Sequence, residues 1–132
     1  MEAPLTPFED FHQQEHTRGR GRSAEEDGAA WLAGQGFRIL QRNVQYKAGE
    51  IDVVALDGDT LCFIEIKARA TAQFGEAIWA VTPRKMRQIA AAASLYLVAN
   101  DHRGPCRFDV LAMDGARGGW RYTLVKDAFQ LG

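Results

Sequence analysis

Residues 49–69, GEIDVVALDGDTLCFIEIKAR, restrict the fold more than any other stretch of this chain. Two runs rich in apolar and β-branched side chains, Ile51 to Leu56 and Thr60 to Lys67, flank the turn signal Asp57-Gly58-Asp59, the pattern of a β-hairpin. Both strands are apolar at most positions, so the pair belongs inside a sheet covered on both faces. Three residues oppose that setting on propensity: Asp52, Glu65 and Lys67.

Loop length decides how they meet. A Gly58-Asp59 loop puts Asp52 opposite Glu65, and an Asp57-Gly58 loop puts it opposite Phe63. In both registers alternation sends Asp52, Glu65 and Lys67 to one face, within cross-strand or diagonal reach. A three-residue loop would send Asp52 to the other face unless a bulge restored the register. Glu50 shares Asp52's side by the same alternation. It is a candidate auxiliary ligand, and a solvent-facing acid at the strand end fits equally.

Two carboxylates held together inside a sheet repel, and burying them unpaired costs several kcal/mol. A divalent cation between them resolves the conflict, and oxygen ligands without His or Cys favour a hard ion, Mg²⁺ or Mn²⁺. Lys67, one pleat beyond Glu65, then suits the orientation of a water and the neutralisation of charge on a phosphate. A buried Glu65–Lys67 ion pair with Asp52 at a strand end accounts for the same residues without a metal.

Asp52, followed after thirteen residues by Glu65-Ile66-Lys67, resembles the D…ExK signature of the PD-(D/E)xK, restriction-endonuclease-like nucleases. With Gly21-Arg22-Ser23-Ala24-Glu25, Gly49-Glu50-Ile51-Asp52, Phe63 to Arg69, Phe74-Gly75, Lys85 and Arg107-Phe108-Asp109-Val110, the chain resembles the small bacterial YraN-type family over about residues 20–130. That family is described as predicted endonucleases distantly related to archaeal Holliday-junction resolvases. The resemblance implies Asp52 and Glu65 as metal ligands, Lys67 as the catalytic lysine and Glu25 as a helix-borne acid near the metal or its water. It also points to Lys85 or Gln88 as a residue assisting from a later helix. Gly28 stands where the pattern commonly has Ala, which weakens the expected first helix.

At 132 residues the chain is one domain with room for a real core. No apolar run reaches the length of a membrane span, and the N-terminus lacks the charged-then-apolar order of a signal sequence. A cytoplasmic protein without membrane attachment is the expectation. Cys62 and Cys106 lack CxxC spacing and read as reduced thiols. The net charge of −1 excludes a uniformly basic binder, but residues 1–15 carry four acids and no Lys or Arg, leaving 16 basic against 13 acidic residues in the remainder.

Residues 1–22 read as a flexible tail with a basic Arg18-Gly19-Arg20-Gly21-Arg22 run, and residues 23–132 as the folded domain. His12 to His16 matches H-x-x-E-H formally but has no apolar helix around it, so it is rejected as a zinc site. Ser23 and Glu26 predict a capping box for a helix over 24–34 with Trp31 and Leu32 buried, and the dipole alone explains acids in its first turn. Residues 37–46 predict an edge strand. Thr82-Pro83 predicts a helix to Ala99 that buries Met86, Ile89, Ala90, Ala93 and Leu97, with Tyr96 as packing. Arg84, Lys85 and Arg87 in its first turns, with Arg69, are the candidate nucleic-acid contacts, or an ordinary solvated basic face. Arg107 to Met113 and Trp120 to Val125 predict two last strands, with Asp109 paired to Arg107 or another cation.

The expected fold is an α/β sandwich with a mixed sheet of about five strands, restriction-endonuclease-like. The expected activity is metal-dependent cleavage of structured or branched DNA, against a non-catalytic nucleic-acid-binding module or a protein-interaction role. A junction-resolving enzyme needs two sites on opposed strands, which makes a homodimer the assembly to look for.

Overall fold

The computed structural model describes residues 23–70 and 75–130. The expected tail at 1–22, the H-x-x-E-H stretch and Phe74 lie outside the described residues. Helix α1 (Ala24–Gly34) is followed by strands β1 (Arg38–Tyr46), β2 (Gly49–Asp57) and β3 (Thr60–Arg69), a short 3₁₀ turn (Ala77–Ala80), helix α2 (Pro83–Ala99), and strands β4 (Cys106–Asp114) and β5 (Arg121–Val125). The five strands form one sheet in sequence order. β3 and β4 run parallel, joined across α2, and all other pairs are antiparallel. The mixed sheet between two helices is the restriction-endonuclease-like α/β architecture, with β1 at an edge.

Local chemistry accounts for both helices. Ser23 Oγ accepts the Glu26 amide (3.2 Å) and Glu26 Oε1 accepts the Ser23 amide (3.0 Å), completing the box. α1 ends where Gly36 turns left-handed (φ 104°), its amide donating to Ala33 and that of Phe37 to Leu32. Thr82 caps α2 through the Lys85 amide, and Pro83 occupies its first turn.

Each helix seals one face. α2 lays Ile89, Ala90, Ala92, Ala93 and Tyr96 over Val54, Leu61, Phe63 and Phe108. Met86 and Leu97, expected in this stripe, are half-buried, and Ala92 joins in their place. α1 covers Val53, Ala55, Ile64, Ile66, Leu111 and Met113 with Ala29 and Leu32. Trp31 is half-buried there, stacked on Tyr122. Gly28 draws α1 close: a Cβ at this position would lie 3.0 Å from Ile66 Cδ1 and 3.2 Å from Leu111 Cδ2 and Met113 Sδ. Gly28 therefore trades helix propensity for a shorter helix-to-sheet distance.

Cys62 is buried and Cys106 exposed, both free thiols. Burial pushes the Cys62 thiol up to about 12, so it is an inert core residue. Among the described residues no helix is long and apolar enough to cross a membrane.

Candidate metal and phosphate site

Both ladders that hold Asp52 are interrupted beside it. The β2–β3 pairing runs from Asp57↔Thr60 to Val53↔Ile64, the register of the Gly58-Asp59 loop, so Asp52 and Glu65 occupy the next opposed position. There the Ile66 amide donates to Asp52 Oδ2 at 2.8 Å, so a side-chain oxygen receives a β3 N–H. On the other side, Arg42↔Val53 and Val44↔Ile51 flank Asn43, which is buried with a φ of 55°. Asn is one of the few side chains that tolerate this left-handed backbone. Alternation in β2 breaks accordingly: Ile51 and Val54 both join the α2-side core, and Val53 joins the α1-side core. Regular alternation along β2, as expected from the hairpin, therefore does not hold at Asp52.

The two carboxyls are almost fully enclosed, Asp52 at 6% and Glu65 at 3% exposure. Burial, then the charge of Glu65, then that of Glu25 hold the Asp52 carboxyl well above its ordinary value, against the pull of the Ile66 amide. Burial also raises Glu65, while Lys85, a hydrogen bond from Asp52 and Lys67 pull it back. Both carboxyls are therefore held above their ordinary values, Asp52 by its neighbours' charge as well as by burial. Glu65 Oε1 is buried without a hydrogen-bond partner, and Oε2 lies 3.8 Å from Lys85 Nζ.

An orphaned acceptor beside a second carboxylate fits a hard divalent ion, as a donor or a neutral cavity would not. Among the described residues no three His, Cys, Asp or Glu side chains converge on one point. Asp52 and Glu65 would therefore hold the ion as a pair, with waters or a phosphate completing its shell, the usual situation for Mg²⁺.

The other expected site residues divide into two groups. Glu25, at the start of α1, acts on Asp52 through its charge, and Lys67 and Lys85 act on Glu65. Lys85 is brought in by Gly49, whose missing Cβ would collide with the Gln88 carbonyl oxygen, so β2 and α2 touch backbone to backbone. Gln88, Glu50 and Lys85 line an open cleft of about 300 Å³ together with Tyr46 and Lys47. Glu50 accepts a long hydrogen bond from Gln45 Nε2 (3.4 Å), and its charge raises Glu65. Arg84 and Arg87, on exposed positions of α2, and Arg69, exposed at the end of β3, stay outside the enclosed cluster.

Asp114 was not singled out from the sequence, where it opens a glycine-rich turn. It is buried, and its carboxylate accepts the amides of Ala77 (2.8 Å) and Gly75 (3.1 Å) while the Gly115 amide donates to the Arg69 carbonyl. It ties Gly75 and Ala77 to the end of β4. Its partners lie 37 and 39 residues away, and no local pattern signals them.

The model of uncharacterised protein family UPF0102 matches residues 24–113, from the first turn of α1 into β4. The chain belongs to this family, also called YraN. The matched span holds Glu25, Asp52, Glu65, Lys67, Lys85 and Gln88. A UPF0102 protein of Chlorobium limicola is 47% identical over 94 residues, covering 70% of this chain and 73% of that one. One from Pseudomonas putida strain GB-1 is 42% identical over 113 residues, covering 83% and 92%. One from Symbiobacterium thermophilum is 41% identical over 115 residues, covering 86% and 98%. These names state no activity.

Proposed function

We infer that this UPF0102 protein is a divalent-metal-dependent endonuclease that hydrolyses phosphodiester bonds in structured or branched DNA. The observation that carries the reading is the buried Asp52–Glu65 pair, with Glu65 Oε1 unpartnered and two lysines acting on the same carboxylate. A structural acid would have been given donors; this one is left open.

Asp52 and Glu65 would hold Mg²⁺ or Mn²⁺, which supplies Lewis-acid polarisation of the phosphate and a more acidic water. Lys67 orients the attacking water and offsets charge developing on the phosphate oxygens. Glu25 accepts a proton or fixes the water from the α1 side. Lys85, 3.8 Å from Glu65 Oε2, favours the ionised form of that carboxylate. Arg69, Arg84 and Arg87 contact flanking phosphates, and a homodimer would present two such sites to opposed strands.

The exposure of those three arginines outside the acidic cluster favours one second reading, a nucleic-acid-binding module without catalysis. Titration calorimetry with Mn²⁺ and Mg²⁺, and cleavage of branched and linear DNA by the same samples, separates the two. Glu65→Ala should keep its far-UV circular dichroism and lose at least about 100-fold in cleavage, since outer-shell partners of a metal alone are worth 10–100-fold. Salt-sensitive DNA binding that needs no metal and survives Glu65→Ala, with no cleavage by wild type, selects the binding module.

A further inference from the structure

The cleft that holds Lys85 is a seam between the β1–β2 turn and the first turns of α2, lined from Gln45 to Glu50 on one side and by Lys85 and Gln88 on the other. Tyr46 pairs with Gly49, so Lys47 and Ala48 alone make the turn. The backbone approach of Gly49 to Gln88 pins that turn against the helix. Lys85 belongs to the cleft and to the acid site at once, since its Nζ lies 3.8 Å from Glu65 Oε2. Glu50 joins them too, through the charge it exerts on Glu65. These two residues set the cleft directly against Glu65, on the α2 side of the sheet.

Two lysines and one acid line the cleft, and the acid is already engaged: Glu50 Oε1 accepts from Gln45 Nε2 at 3.4 Å. Lys47 is exposed and makes no ion pair among the described residues, although Glu50 stands three positions away. The pinned turn fixes its backbone, so less order is lost when an anion arrives. Tyr46, the aromatic residue of the lining, packs against the α2-side core. What is left for a ligand is two ammonium groups and the Gln88 carboxamide, donors that suit phosphate and sugar oxygens. A volume of about 300 Å³ is at the small end of ligand sites, roughly 300–1,000 Å³.

We propose that this seam seats the phosphodiester next to the scissile one, with Lys47 on the turn side, Lys85 on the helix side and Gln88 donating to a phosphate or sugar oxygen. The proposal rests on the nuclease reading and deepens it. Lys47 is then a positioning residue, and Lys85 stands between the seated phosphate and the acid that holds the metal. Contacts of this kind carry no sequence information, so the cleft selects strand path and shape rather than base.

The test is fluorescence anisotropy of the full chain in EDTA, with a labelled branched DNA made in two unrelated sequences and titrated at several salt concentrations. Lys47→Ala should weaken binding about fivefold at near-physiological salt, equally for both sequences, and lower the slope of log affinity against log salt by about one. Lys47→Arg should restore most of both. Lys47 is an exposed turn residue, so these variants should melt as wild type does. A neutral methylphosphonate walked along the strand should find one linkage whose replacement weakens wild type and leaves Lys47→Ala unchanged. Absence of binding by wild type, wild-type affinity and slope in Lys47→Ala, or a loss confined to one sequence overturns the proposal. Mn²⁺-dependent cleavage of the same DNA is a separate readout. A cut adjoining the sensitive linkage supports the seat, and a cut elsewhere overturns it. The Lys47 effects without any cleavage sink the nuclease reading and still support a backbone seat.

Discussion

Asp109 and Glu65 sit one register step apart on neighbouring strands, since β4 pairs Asp109 with Ile64 and Val110 with Glu65, and the two acids face opposite sides of the sheet. Both are buried. Asp109, at 0% exposure, is surrounded by donors: Arg107 Nε at 2.8 Å, Arg107 Nη2 at 2.9 Å and the Asp127 amide at 2.9 Å. Arg107 reaches on to Asp57, which Lys126 also approaches at 3.1 Å. These cations hold Asp57 below its usual range, Arg107 first. Glu65 has the Asp52 carboxyl beside it, one lysine at 3.8 Å and an Oε1 without a hydrogen-bond partner. The sheet thus buries acid in two ways, and the number of donors separates an acid that holds the fold from one the fold holds in reserve.

The largest effect should follow from breaking the compensated acid. Asp109→Ala leaves the mostly buried Arg107 with a partly exposed partner only, and should cost about 3–5 kcal/mol in urea unfolding, the usual loss when one member of a buried pair is removed. A loss as small as that of a surface substitution would erase the distinction between the two acids. Next comes the packing that serves the open site. Gly49→Ala drives a methyl into the Gln88 carbonyl and should cost about 1–3 kcal/mol. That loss involves no proton, so its size should be the same in acid and at neutral pH. A pH-dependent loss would mean that Gly49 acts through the carboxylates as well.

Much of this was readable in the chain. Apolar runs and the Asp57-Gly58-Asp59 turn gave the hairpin and two candidate registers, and Ser23 and Thr82-Pro83 marked the helix starts to the residue. These are local signals, each decided within a few residues. The meeting of Asp52 with Glu65 was expected from alternation, yet it is made where alternation fails. Opposite Asp52 on β1 stands Asn43, whose left-handed backbone no window around Asp52 contains. Lys85 reads as a residue of the acid site only through the family resemblance, since its approach to Glu65 depends on α2 docking, and Asp114, held across the sheet, was not visible at all. Gly28 read as a weak point in a helix because its benefit lies in Ile66, Leu111 and Met113, which only packing reveals.

The smallest effect has the most informative sign. The Asp52 carboxyl is raised in the folded chain above its ordinary 3.8, so the folded state binds more protons than the unfolded state above that pH. The stability this contributes is complete below 3.8 and is lost as pH rises through the raised folded value. Asp57 runs the opposite way, its contribution present at neutral pH and lost as pH falls. Asp52→Asn keeps an acceptor for the Ile66 amide and removes the charge. Because Asp57 is common to both proteins, it cancels in their difference. Metal-free Asp52→Asn should therefore be more stable than wild type at neutral pH by about 1 kcal/mol, or roughly 4 °C in melting temperature, and the two should converge on acidification. Mn²⁺ should reverse the order by stabilising wild type alone. A variant less stable than wild type at neutral pH without metal would mean that Asp52 is compensated after all, as Asp109 is, and the contrast between the two acids would close.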